Sequence, residues 1–137
     1  VDTALPEGDW LRRFLVYHLP AIGYAGLIIG LSSLSNVRLP KVQLVELDKV
    51  IHFVEYALFT WLVYRSTTHF HREVGIEEAS FLALGMVTLF AFADEFYQSF
   101  IPGRQSDPTD FLTDVAAAMV VVALLRLLRR RPQGLIA

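Results

Sequence analysis

Four apolar stretches alternate with polar connectors along the 137-residue chain. They run from about Phe14 to Ser33, Asp48 to Arg65, Ser80 to Phe100 and Phe111 to Leu128. Each is roughly 18–21 residues, the length that crosses about 30 Å of hydrocarbon at 1.5 Å per residue. None alternates with period two, so the pattern predicts helices, over about 14–34, 48–66, 79–100 and 110–129, and no strands. The fourth, DVAAAMVVVALLRLL, is apolar on nearly every face, whereas a surface helix of a soluble protein is apolar on one stripe. The expectation is a single all-α domain over 1–137, an integral membrane bundle of four transmembrane helices. A soluble four-helix bundle is the competing reading.

The connectors carry the polar residues. Asn36 to Glu46 holds Pro40 and mixed charges, Thr67 to Glu78 is a polar run, and Ile101 to Thr109 holds Pro102, Gly103 and Pro108. Pro20 lies inside the first helix and is expected to kink it. Gly26 and Gly30 have the small-xxx-small spacing of close helix packing. The first stretch reads as a membrane helix rather than a signal peptide: it exceeds a typical h-region, and acidic residues precede Arg12 and Arg13.

Composition agrees with this reading. Hydrophobic residues make up 54% and charged residues 19%, with a mean hydropathy of +0.45. A net charge of −2 argues against a nucleic-acid partner. The absence of cysteine excludes disulfides, thiolate zinc sites and a cysteine nucleophile. In a four-span arrangement Arg12, Arg13, Arg65, Arg72, Arg126, Arg129, Arg130 and Arg131 fall on one side. Arg38, Lys41, Lys49 and Arg104 fall on the other. The positive-inside rule then predicts a multi-pass membrane protein with both termini cytoplasmic.

The chemistry concentrates at one end. The second helix opens DKVIHFVEY, with Asp48, His52 and Tyr56 in line at i, i+4 and i+8. The third ends ADEFYQSFIPGRQSD, with Asp94 and Gln98 on one face and Asp94 about 9 Å from the helix end. The fourth opens DPTDFLTDV, with Asp107, Asp110 and Asp114 on one side. Four-span topology brings all three segments to the extracytoplasmic level. Charged groups cost at least about 2.5–3.5 kcal/mol each at the bilayer centre and usually face a bundle interior or a watery cavity. The expected site is an outward-facing polar pocket lined by Asp48, Lys49, His52, Tyr56, Asp94, Glu95, Gln98, Arg104, Asp110 and Asp114. The plainer alternative is packing glue, with Asp48 and Asp110 as helix N-caps and Arg104 balancing the carboxylates. Two adjacent carboxylates, Asp94 and Glu95, make poor glue, because each needs a partner or a proton.

Elsewhere the plainer readings prevail. His18 is expected to make a polar contact, His69 and His71 to sit in a solvated loop, and Glu55 to face away from Tyr56. Trp10, Tyr17, Trp61 and Tyr64 suit an interfacial aromatic belt.

At DKVIHFVEY, DEFYQSFIPGR and DPTDFLTD the chain resembles the VanZ-like family of small bacterial membrane proteins. That family's pattern runs roughly Asp-Lys-x-x-His-Phe-x-x-Tyr, then Asp-Glu-x-x-Gln-x-x-x-Pro-Gly-Arg, then Asp-x-x-x-Asn. The matching positions are Asp48, Lys49, His52, Phe53, Tyr56, Asp94, Glu95, Gln98, Pro102, Gly103, Arg104 and Asp110, and Ser32 and Ser33 also fit. The likeness covers about Phe14 to Leu128. Asp114 stands where the family pattern has asparagine, which adds an acid to the cluster. The resemblance implies a four-helix integral membrane protein and a link to glycopeptide (teicoplanin) resistance. It implies no particular reaction.

Three functions are compatible with the cluster. In the first, an envelope-lipid enzyme or handler, Asp94 or Glu95 acts as general acid or base and His52 assists, oriented by Asp48. Arg104 holds a phosphate or carboxylate, and Asp48, Lys49, Tyr56, Gln98, Asp110 and Asp114 contact the ligand. The second is a binder that sequesters an antibiotic or wall precursor. The third is an accessory subunit among membrane-protein partners, its cluster purely structural. Carboxylates plus one histidine suit a divalent cation, yet no metal motif is visible, and neither metal nor cofactor is expected.

Overall fold

The computed structural model describes residues 7–34, 44–69, 74–104 and 106–129. Arg38, Pro40, Lys41, His71, Arg72, Arg130 and Arg131, used above, lie outside them. The described residues are helical, with no strand. The chain opens with α1 (Glu7–Arg13), a π-helical turn (Phe14–His18) and α2 (Leu19–Ser32), which run on as one rod. Then come α3 (Leu44–Thr67), α4 (Ile76–Gln98) and α5 (Pro108–Arg129). The helices start up to four residues before the expected boundaries, and the rod begins at Glu7 rather than near Phe14.

The irregularity expected at Pro20 lies one turn earlier. The Leu19 N–H returns to the Phe14 carbonyl, five residues back, closing a π turn. Pro20 thereby falls in the first turn of α2, where a missing N–H is tolerated.

Helices α3, α4 and α5 pack into the core, and the rod lies against α3 with lighter contact to α4. Small residues permit this. Helix α4 buries Ala79, Ala83, Val87 and Ala91 at four-residue spacing, and α5 buries Ala117, Ala118 and Val122. Such stripes let backbones approach where lipid removes the hydrophobic drive between helices. Larger side chains of α3 fill the remaining space: Tyr56, Phe59, Thr60, Val63 and Tyr64 are buried. The Phe59 ring meets Phe90 at 4.8 Å between centroids. Gly26 and Gly30 are both exposed, and a methyl added at either meets nothing within 4 Å. The packing expected of them is therefore absent among the described residues.

The outer surface is reversed relative to a soluble protein. Phe81, Leu89, Phe92, Phe96, Phe100, Leu112 and Leu127 are among the most exposed side chains. Among the described residues, three segments are long and apolar enough to cross a membrane: Trp10–Ser32, Ile76–Gln98 and Pro108–Arg129. Helix α3 is as long but carries Asp48, Lys49, His52, Glu55 and Arg65, so its average hydropathy falls short.

The small stripe gives a direct test. Ala83→Leu pushes a larger side chain into a fully buried position and should cost about 1–3 kcal/mol. Leu89→Ala, on the exposed face, should change stability by less than about 0.5 kcal/mol. Unfolding in detergent micelles, followed by helical circular dichroism, checks both.

Candidate functional site

The C-terminal ends of α2 and α4 meet the N-terminal ends of α3 and α5. Their polar side chains form a ladder of rungs, with α3 as the upright. At the rim, Lys49 Nζ donates to Asp110 Oδ1 at 2.9 Å and to the Thr109 hydroxyl, with Asp107 at 3.9 Å. One turn deeper, His52 Nδ1 lies 3.1 Å from Asp114 Oδ1. One turn deeper again, the Tyr56 hydroxyl donates to Asp94 Oδ2 at 3.3 Å. Lys49 and Tyr56 are seven residues apart, so the ladder descends about 10 Å.

Asp94 is the hub. Its Oδ2 also accepts from the Ser32 hydroxyl at 3.0 Å and from Gln98 Nε2 at 3.1 Å, so one oxygen gathers donors from α2, α3 and α4. Asp94 is 2% exposed. Its other oxygen, Oδ1, is buried and accepts no hydrogen bond among the described residues.

A turn aims Arg104. Ile101 to Arg104 closes on an Arg104 N–H to Ile101 carbonyl bond of 3.1 Å. Pro102 and Gly103 hold its middle, with Gly103 at φ 88°, the left-handed position of a type II turn that favours glycine. The guanidinium then reaches back to Gln98 Oε1 and the Leu31 carbonyl, each at 3.1 Å. It clamps the end of α2 to α4.

Glu95 points the other way. Its Oε2 accepts from the Ser106 hydroxyl at 2.9 Å and the Asp107 N–H at 3.1 Å, which pins the loop entering α5. Asp107 is the cap of α5, since its Oδ1 accepts the Thr109 N–H at 2.8 Å and Pro108 takes the first helical position. The Thr109 N–H and hydroxyl hold the exposed Asp107 carboxyl below the usual carboxylate range. The capping role considered for Asp48 and Asp110 is thus filled at α5 by Asp107. Asp48 lies inside α3 and Asp110 inside α5.

All ten expected site residues lie at this end of the bundle, with one change of role. Asp114, rather than Asp48, is the carboxylate bonded to His52 Nδ1. Buried Tyr56, His52, Asp94, Glu95, Gln98 and Asp114 are packed against neighbours, whereas Asp48 is exposed at the rim. The larger cavities have other walls. A groove of about 580 Å³ lies between the rod, α3 and α4, lined by apolar residues such as Phe14, Ile22, Phe59 and Phe90. Sequence reasoning missed Ser106, Thr109 and the Leu31 carbonyl, and placed Ser32 only by resemblance. Serines and threonines are common at helix ends, so nothing in the pattern singles these out.

Asp48, His52 and Asp110 each offer one ligand atom within 4.8 Å of the others. With Nδ1 committed to Asp114, Nε2 is the ring atom left to such a group. Lys49 already sits on Asp110 as a counter-cation.

The plainer expectations outside the cluster divide. His18 Nδ1 meets the Ser66 hydroxyl at 2.6 Å, the polar contact foreseen. His69 is half-buried and stacked on Tyr17, with centroids 3.7 Å apart, rather than loose in solvent.

The three motifs that build this ladder have a common source. The family profile described as VanZ/LLP1 matches residues 10–129. The chain belongs to the VanZ/LLP1 family. No curated protein and no solved structure matches it significantly. In this VanZ/LLP1 chain the match spans every rung of the ladder, from Ser32 to Asp114.

The His52–Asp114 rung is testable by shape and charge. An amide at 114 still accepts from Nδ1–H, so Asp114→Asn should alter stability by less than about 1 kcal/mol. Asp114→Ala leaves His52 without a buried partner and should cost about 2–3 kcal/mol. Thermal unfolding of the two variants side by side decides it.

Proposed function

We propose that this VanZ/LLP1 protein crosses the bacterial inner membrane four times and binds or acts on an anionic envelope-lipid head group at its polar end. Helix α3 is the fourth span in this reading. The groups that lower its hydropathy include His52, Tyr56, Thr60 and Tyr64, all turned inward. Val50, Ile51, Val54, Leu58 and Trp61 face outward. An average over the helix mixes the two faces, whereas lipid along the middle of α3 meets mainly the apolar one. The arginine excess then puts both termini in the cytoplasm and the ladder outside.

The observation that carries the functional reading is Asp94 Oδ1. A network built only to hold helices together satisfies its buried atoms. Here one oxygen of a buried carboxylate collects three donors while the other accepts none. That asymmetry suits a carboxyl that carries or exchanges a proton, the part of a general acid or base. His52 stands one turn above Tyr56 on α3, held by Asp114. Arg104 uses two of its donors on Gln98 and Leu31 and keeps others for an anion. The rim residues Asp48, Lys49 and Asp110 form the entrance, with Glu95 fixing the loop above. The link to teicoplanin resistance that the resemblance implies points to cell-wall precursors as the ligand class.

Asp94→Asn, Glu95→Gln, His52→Asn and Arg104→Gln test this against a purely structural cluster. Functional sites strain a fold, so most of these variants should melt at or above wild type. They should also lose retention of a lipid-linked pyrophosphate presented in detergent micelles. Loss of several degrees in all four, with no ligand retained by wild type, would replace this reading with that of an accessory subunit.

A further inference from the structure

The end of the bundle opposite the ladder carries a second constellation. The rod brings Arg12, Arg13, Val16 and Tyr17 onto one face, at i and i+4 spacing. With His69, just beyond α3, they line a cavity of about 230 Å³. That is several times the roughly 30 Å³ share of a water molecule. Tyr17 and His69 close one wall as a parallel stack, 3.7 Å between centroids and 8° between planes. Arg65 lies over Tyr17 at 5.0 Å from the ring centroid and over Trp61 at 5.8 Å. His69 Nδ1 lies 2.8 Å from the Arg65 carbonyl. A carbonyl only accepts, so Nδ1 holds the proton, and Nε2 becomes a donor when the ring is charged.

Arg12 and Arg13 line the cavity and Arg65 lies against its Tyr17 wall, and among the described residues none of the three is paired with an acid. By contrast, Arg126 at the same end is paired with Glu77. Around the cavity stand exposed apolar side chains, Trp10, Leu11 and Leu15, the composition of a membrane–water boundary. Marking topology needs positive charge alone. It needs no stacked rings and no cavity, and both are present.

We propose that Arg12, Arg13, Arg65 and His69 form a binding site for a phosphate group at this boundary, supplied by an anionic phospholipid head group. The forks of Arg12 and Arg13 take phosphate oxygens in paired hydrogen bonds. Tyr17 and Trp61 hold Arg65 in place from the apolar side. The site is independent of the polar ladder and would bind whatever the ladder does.

The full chain in a maltoside detergent, titrated with short-chain phosphatidylglycerol, tests this through the fluorescence of its two tryptophans, Trp10 and Trp61. Wild type should show a saturable change that phosphatidylcholine does not produce. Arg13→Gln and Arg65→Gln should each weaken it about tenfold, as expected for a lost charge-assisted bond. Arg126→Gln removes one charge at the same end and should leave it intact. Saturable binding of inorganic phosphate with the same variant pattern would support the site but make free phosphate its source. Equal weakening by Arg126→Gln, or an equal response to phosphatidylcholine, would overturn the proposal. So would no response in the two cradle variants and wild type alike.

Discussion

A buried carboxylate must find its donors inside the protein, and the polar end of the bundle is arranged around that demand at Asp94. Its Oδ2 draws Ser32, Tyr56 and Gln98 from three helices onto one atom. Each bond is worth only about 1 kcal/mol net. Their larger effect is directional, because an unmet carboxylate in an apolar interior costs far more than the bond gains. The register of α2, α3 and α4 is thereby fixed at one level. Arg104 adds to it by tying Gln98 to the last turn of α2.

The apolar half of the bundle follows a different rule, and the two halves meet on α4. Its buried face reads Ala79, Ala83, Val87, Ala91, then Asp94, Glu95 and Gln98. Small residues bring α3 and α5 close to α4 along most of its length. Where the side chains lengthen, the added atoms are polar and find partners across the same interface. Close approach makes the short bonds of the ladder geometrically available.

Much of this was legible in the chain. Apolar length marks the helices, and three ordered motifs assign ten polar residues to one end. Partnerships were less legible, for a physical reason. Helical spacing says which residues of one helix share a face, and says nothing of the rotation of its neighbour. Asp48, one turn before His52 on the same helix, was the expected partner, and the packing of α5 supplies Asp114 instead. The cap of α5 fell to Asp107 because the helix begins at Pro108, two residues before the expected boundary. The Gly26 and Gly30 spacing misled because small residues promote packing only on a face that meets another helix, and theirs is exposed. The π turn left no trace in the pattern, since it changes the ring size of hydrogen bonds rather than residue types.

The two ends differ in how their charge is used, and this bears on function more than any single residue does. At the ladder, acids outnumber bases, yet the structure spends Lys49, His52 and Arg104 internally on Asp110, Asp114 and Gln98. At the other end the arginines exceed the acids that could meet them, and Arg65 rests on aromatic faces instead. A protein that only had to span a bilayer would need neither arrangement, since arginine counts alone orient the helices. An internally spent network is suited to holding one geometry against a ligand's charge. An unspent one is suited to gripping the phosphates of the surrounding leaflet. The bundle thus carries a hydrogen-bonded polar ladder at one end and an arginine-rich constellation at the other, with the small-residue core between them.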